Sequence, residues 1–177
     1  MRFCIYARKI EKKYIDSFLI PFLDFLKQEK IEYFLVDSFA NYLSKNARLS
    51  FNSINAEEIE KHKPNYVVCL GGDGTVLDTL RLVRDTEIPV LGINLGRLGF
   101  LANIAMEEAF DIINALKKGE TTIEQRTVLE VVSDHQELNE FPFALNDFVV
   151  QKRDSSAMIT VSAMLNEQFL NHYWADG

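Results

Sequence analysis

Apolar positions between Met1 and Gly119 follow two periods in alternation. Phe3 to Ala7 is a short apolar run of strand type. From Lys13 to Glu29 the apolar residues Ile15, Phe18, Leu19, Phe22, Leu23 and Leu26 fall three and four apart, which places them on one face of a helix. Ile31 to Val36 reads as a second strand and Ala56 to His62 as a short helix. Asn65 to Leu70 reads as a third, fully buried strand bounded by Pro64 and Gly71. Thr75 to Arg84 fits a helix whose shared face carries Val76, Leu77, Leu80 and Val83. Pro89 to Ile93 is a further strand, and Glu107 to Lys118 is a helix stopped by Gly119. Strands alternating with helices predict an α/β layer with a mostly parallel sheet.

The pattern changes after Gly119. Thr122 to Val132, Phe143 to Gln151 and Ala157 to Leu165 are strand-like runs with no helical period between them. They predict a division into an α/β domain, residues 1–119, and the start of a β-rich domain, residues 120–177. Three or four strands close a domain poorly, and the chain stops at Ala175-Asp176-Gly177, so the second domain is expected to be incomplete.

Composition narrows the function classes. With 47% hydrophobic residues in 177, the chain can bury a substantial core. Its 26 acidic and 19 basic residues give a net charge of −7, which argues against broad attraction to nucleic acid or to an anionic membrane. A polyanionic ligand must therefore be held by local donors. The apolar run from Phe18 to Leu26 is broken by Pro21 and Asp24, and no stretch has the length of a signal peptide or a membrane span, so a cytoplasmic protein is expected. Cys4 and Cys69 lie in apolar strands and read as core thiols. His62, His135 and His172 are too scattered to form a metal site, and Glu57, Glu58 and Glu60 read as a solvated helix face. No metal-ligand set is expected within the chain.

Gly71-Gly72-Asp73-Gly74-Thr75 lies directly after a buried strand and directly before a helix, where a phosphate-binding turn belongs in an α/β fold. Gly71, Gly72 and Gly74 let the backbone approach a ligand, and main-chain N–H groups at the helix start, through Thr75, can meet phosphate oxygens. Asp73 is out of place in such a loop, because a carboxylate repels phosphate unless a metal or hydroxyl intervenes. It can orient an attacking hydroxyl and take its proton, or it can simply cap the helix from Thr75.

A second strand runs into a glycine-punctuated turn at Leu91-Gly92-Ile93-Asn94-Leu95-Gly96-Arg97-Leu98-Gly99-Phe100-Leu101. Three glycines in so short a span need a backbone reason. Two such turns at the carboxyl ends of parallel strands can face one crevice. Phe100 can stack on a nucleobase there or belong to the core beside Leu98 and Leu101, and Arg97 can meet phosphate or solvent. In a third cluster, Asn146 and Asp147 interrupt the apolar run Ala144 to Val150. Asp accepts from ribose hydroxyls and Asn can read an adenine edge, although a turn or bulge at a strand entry accounts for the pair equally well.

Together GGDGT, LGINLGRLGFL, ALNDFVV and the closing ADG, in this order and at these distances, closely resemble the ATP-dependent NAD kinase family. GGDGT alone is shared with lipid kinases and phosphofructokinases; the Asn-x-Gly-x-x-Gly-Phe-Leu segment followed by Asn-Asp is far more specific. The expected fold class is α/β, with a Rossmann-like N-terminal domain followed by the β-rich second domain. The resemblance implies that Asp73 accepts the proton of the ribose hydroxyl that is phosphorylated and that Gly74 lines the NAD site. Phe100 would lie beside the adenine, while Asn146-Asp147 and Asp176 would contact NAD. It also implies ATP and NAD as substrates, a divalent metal, usually Mg²⁺, and a homo-oligomer, dimer or tetramer. The family continues from Asp-Gly into a Ser/Thr-Pro-Thr-Gly-Ser-Thr-Ala-Tyr segment, and Trp174 stands where some relatives carry a basic residue. A lipid kinase of the same superfamily and a nucleotide-binding fragment without catalysis are the alternative readings.

Overall fold

The computed structural model describes residues 1–153 and 157–177, and its internal contacts divide the chain into two units, Met1–Arg126 and Thr127–Gly177. The first unit begins with strand β1 (Arg2–Tyr6). A continuous helical stretch follows, made of α1 (Lys12–Tyr14), a π-helical turn (Ile15–Leu19) and α2 (Ile20–Gln28). The widened turn precedes Pro21, which has no amide to give the preceding turn and whose ring would crowd the carbonyl four residues back. Then come β2 (Glu32–Val36), α3 (Asp37–Ala47), β3 (Ser53–Ile54), a 3₁₀ turn (Ala56–Glu58) leading into α4 (Ile59–His62), and β4 (Tyr66–Leu70). The unit continues with α5 (Asp73–Val83), β5 (Val90–Asn94), β6 (Ile104–Ala105) and, after a second 3₁₀ turn (Met106–Glu108), α6 (Ala109–Lys118).

The six strands form one sheet in the order β3-β2-β1-β4-β5-β6, and every neighbouring pair is parallel. Parallel strands need helical crossovers, so both faces of the sheet are covered and the interiors of the central strands are apolar. Phe3, Ile5, Leu35, Val68, Leu70 and Ile93 point to one face. There they meet Phe22, Leu23 and Leu26 of α2, Phe39 and Leu43 of α3, and Ile113 and Leu116 of α6. Cys4, Val36 and Val67 point to the other face, against Ile59 of α4 and Leu82 of α5. Phe22 is fully buried, stacked on Phe18 at 5.4 Å and edge-on to Phe110 at 6.0 Å. Burial pushes both thiols, Cys4 and Cys69, up to about 12, which makes them inert core groups, as expected.

The second unit holds two antiparallel pairs: β7 (Val128–Glu130) with β8 (Phe143–Leu145), and β9 (Ile159–Leu165) with β10 (Gln168–Ala175); a short helix, α7 (Gln136–Asn139), lies between β7 and β8. The strand expected over Thr122 to Val132 shrinks to three residues, because β8 offers a partner only from Phe143 to Leu145. The strand expected from Phe143 to Gln151 ends at Leu145, where Asn146 turns the chain into the left-handed region with φ 79°. Among the described residues no helix is long and apolar enough to cross a membrane.

Candidate active site

The strand order reverses between β1 and β4, and ligands of open α/β sheets bind in the crevice outside the carboxyl ends of the strands at such a switch point. Gly71 to Thr75 leaves β4 there. Gly71 has φ 153° and donates its amide to the Ile93 carbonyl at 3.0 Å; a Cβ on it would lie 2.4 Å from Thr75 Oγ1, so glycine is required. A Cβ at Gly72 or Gly74 would meet nothing within 4 Å, so the start of α5 faces open space. The first N–H groups of a helix have no partners inside it, and those of Asp73 and Gly74 belong to that first turn of α5.

Asp73 does not cap the helix. Gly72 occupies the N-cap position, and the Asp73 carboxylate instead reaches the second glycine turn. Oδ1 accepts the amides of Leu101 and Ala102, each at 2.9 Å, and Oδ2 accepts that of Phe100 at 2.9 Å. Hydrogen bonds from Ala102, Phe100 and Leu101 to the charged form hold this acid below its ordinary value.

The second turn is also tied from its base. Asn94 is buried at the end of β5; its Nδ2 donates to the Ala102 carbonyl at 3.2 Å and its Oδ1 accepts the Gly96 amide at 2.7 Å. Phe100 is 90% exposed, which removes the core reading of this ring. Arg97 is exposed as well.

A third group at the switch point had no signal in the sequence. Arg8 lies two residues beyond Tyr6, whose register partner on β4 is Cys69, so Arg8 and Gly71 leave the sheet side by side. Its Nε and Nη2 donate to Oδ2 and Oδ1 of Asp78 on α5 at 2.7 and 2.6 Å, and Tyr6 donates its hydroxyl to Asp78 Oδ2 at 3.3 Å. Burial, and then the neighbouring Asp78 carboxylate, push the Tyr6 phenol up to about 12, so it remains a donor. The Arg8 side chain is 60% exposed and keeps donors that Asp78 does not use.

The remaining predicted residues belong to the second unit. Asn146 and Asp147 are exposed at the bend after β8. Asp176 pairs with Lys152, Nζ to Oδ1 at 2.5 Å, and its carbonyl accepts the Lys152 amide at 2.8 Å. Lys152 is a partner that reading the sequence did not foresee. Trp174 is exposed.

Residues 16–121 match the model of the ATP-NAD kinase N-terminal domain. The chain belongs to the ATP-NAD kinase family.

Both glycine turns fall inside that match, so the family is matched where Asp73 meets Phe100. Similar full chains are the NAD kinases of Cytophaga hutchinsonii, 36% identical over 179 residues, and of Bacteroides fragilis, 33% identical over 177. Each alignment covers 100% of this chain and 61% of the relative, so the chain spans about three-fifths of their length. The NAD kinase of Porphyromonas gingivalis is 45% identical over 113 residues, 64% of this chain and 38% of its own. Two solved structures share the fold. Yeast NADH kinase complexed with NADH superposes with a TM-score of 0.73 at 18% identity, covering 99% of this chain and 55% of the other. An NAD kinase from Archaeoglobus fulgidus in complex with ATP gives 0.60 at 19%, with coverages of 99% and 58%. Family membership counts against the lipid-kinase alternative.

Proposed function

We propose that the protein is an NAD kinase, transferring the γ-phosphoryl group of ATP to the 2′-hydroxyl of the adenosine ribose of NAD and releasing NADP and ADP. The observation that carries this reading is the Asp73 carboxylate, fixed beside the open start of α5 at the switch point and bonded to the turn that presents Phe100. The complexes of yeast NADH kinase with NADH and of the Archaeoglobus fulgidus NAD kinase with ATP support the choice of ligands.

In this reading Gly71, Gly72, Gly74 and Thr75 frame the ATP phosphates, which the first amides of α5 meet, and Arg8 adds a cation that Asp78 holds in place. Phe100 lies against the adenine of NAD. A carboxylate has about four acceptor positions, and three amides occupy three of them at Asp73, leaving one for the 2′-hydroxyl. As the bond from the 2′-oxygen to the γ-phosphorus forms, the bond from that phosphorus to the β–γ bridging oxygen breaks, and the hydroxyl proton passes to Asp73. A divalent metal, usually Mg²⁺ in the family, would neutralise charge on the triphosphate.

Residues 1–119 would form the phosphate-binding domain and residues 120–177 the start of the NAD-binding domain, with Gly74, Asn146, Asp147 and Asp176 as further NAD contacts. The protein would work in the cytoplasm as a homo-oligomer, dimer or tetramer. The test is a coupled assay for NADP from NAD and Mg-ATP, run on these 177 residues and on a chain extended to the length of the relatives. NADP from the longer chain supports the reading; NADP from neither refutes it. NAD binding without turnover by the 177 residues would assign them the binding role alone.

A further inference from the structure

We propose that Asp73 is also the clasp that sets the second glycine turn, and that Gly99 is glycine in order to admit it. Nucleotide affinity, exerted through Phe100, then depends on the same carboxylate that faces the reacting hydroxyl. This extends the role given to Asp73 above and rests on it for the consequence to affinity, though not for the clasp itself.

Three consecutive amides, those of Phe100, Leu101 and Ala102, converge on one carboxylate at 2.9 Å each. Successive N–H groups aimed at one point form a concavity that binds an anion, and here the anion is a side chain of the chain itself. The residues lie between β5 and β6, where no strand partner takes those amides. Asn94 secures the two ends of the turn, through the Gly96 amide and the Ala102 carbonyl, whereas Asp73 secures the apex that carries the exposed ring.

Gly99 fits this account from the opposite side. A Cβ there would lie 2.1 Å from Asp73 Oδ1, 2.5 Å from Cγ and 2.6 Å from Oδ2, closer than any real Cβ contact. Its φ is outside the left-handed region, so the carboxylate and not the backbone conformation demands glycine. By contrast, a Cβ at Gly96 would meet only Asn94 Oδ1, at 3.9 Å. The clasp can therefore be opened in two independent ways: by changing the carboxylate, or by leaving it intact and adding one methyl group opposite.

The experiment is hydrogen exchange of the Phe100, Leu101 and Ala102 amides, with calorimetric NAD affinity, in the wild type, Asp73→Asn, Gly99→Ala, the double variant and Phe100→Ala. The clasp predicts that Asp73→Asn and Gly99→Ala each speed exchange of those amides by about tenfold or more while the amides of β4 and β5 keep their protection. The double variant should go no further than either single one. Both single variants, like Phe100→Ala, should weaken NAD binding by about tenfold, the order of one lost base-stacking contact. Phe100→Ala should leave exchange unchanged.

Unchanged exchange in Gly99→Ala would overturn the clasp. Faster exchange with undiminished NAD affinity would overturn its link to binding. Should the wild-type chain extended to the length of the relatives bind no NAD, the functional reading fails, and exchange, which needs no ligand, still decides whether the carboxylate holds the turn.

Discussion

The Cβ that Gly99 lacks would sit 2.1 Å from Oδ1 of Asp73, although the two residues lie in different turns and on different strand ends. The three amide bonds to Asp73 join the two glycine motifs into one object, so the charge of a carboxylate placed beside a phosphate-binding turn is stabilised by amides of the neighbouring turn.

The relationship predicts unlike kinetics for the two partners. Asp73→Asn removes both the acceptor of the hydroxyl proton and the clasp, so kcat should fall by roughly 10²- to 10⁴-fold, with a raised KM for NAD. Gly99→Ala keeps the carboxylate, so its loss should fall mainly on the KM for NAD. Steady-state kinetics with each substrate varied separately checks this; equal losses of kcat in the two variants would contradict it.

The amides also fix the pH behaviour of the turn. Asp73 is held below its ordinary value near 3.8, so its native interactions are fully present above the unfolded value and disappear only as pH falls through the lower folded value. Between pH 5 and 8 the turn should not respond to acid, because that interval lies above the carboxylate range, roughly 4 for an unperturbed Asp. In an NMR titration the Phe100 and Ala102 amide resonances should move together, with a midpoint below the ordinary value of 3.8. A midpoint above it would show that the carboxylate is not bonded in this way.

Arg8 should act on ATP and not on NAD. Arg8→Ala is expected to raise the KM for ATP by about tenfold, the order of one charge-assisted contact, and to leave the KM for NAD near its wild-type value. Asp78→Ala should have a smaller effect of the same kind, since it frees the guanidinium without removing it. Kinetics with ATP varied at saturating NAD is the check; a change in thermal stability alone would reduce the pair to a structural tie.

Stability rests on the helical face of the first unit. Phe22→Ala empties a site enclosed by Phe18 and Phe110, and cavities of this kind cost about 3–5 kcal/mol. Urea unfolding should show that loss with an unchanged slope, whereas a cost below about 1 kcal/mol would mean that the neighbours collapse into the space.

The parallel sheet was legible because its central strands are buried on both faces and α2 and α6 carry wide apolar stripes, although in α5 the buried residues are Thr79 and Leu82 and Leu77 is exposed. Helix α3 was not, since only Phe39, Ala40 and Leu43 of its eleven residues are buried and the rest is polar or half-exposed. Strands β3 and β6 are two residues long and have no period to detect. Strand β10 was missed because its turn, Asn166-Glu167, takes left-handed conformations at both positions without the glycine that advertises such hairpins. The motifs at Asp73 and Phe100 could be found by residue type and position. Their connection could not, because the partners of the carboxylate are backbone amides, which carry no side-chain signature in a sequence. The Arg8–Asp78 and Lys152–Asp176 pairs were hidden for a related reason: an ion pair between distant residues depends on register that only the folded sheet supplies.

The most direct test follows the phosphoryl group itself. The chain extended to the length of its relatives is incubated with NAD and ATP labelled at the γ-phosphate, and the labelled product is isolated and its site of attachment determined. Label is expected on the 2′-oxygen of the adenosine ribose in the wild type and almost none in Asp73→Asn. Label on a lipid acceptor, or equal labelling of NAD by wild type and variant, would contradict the proposed function.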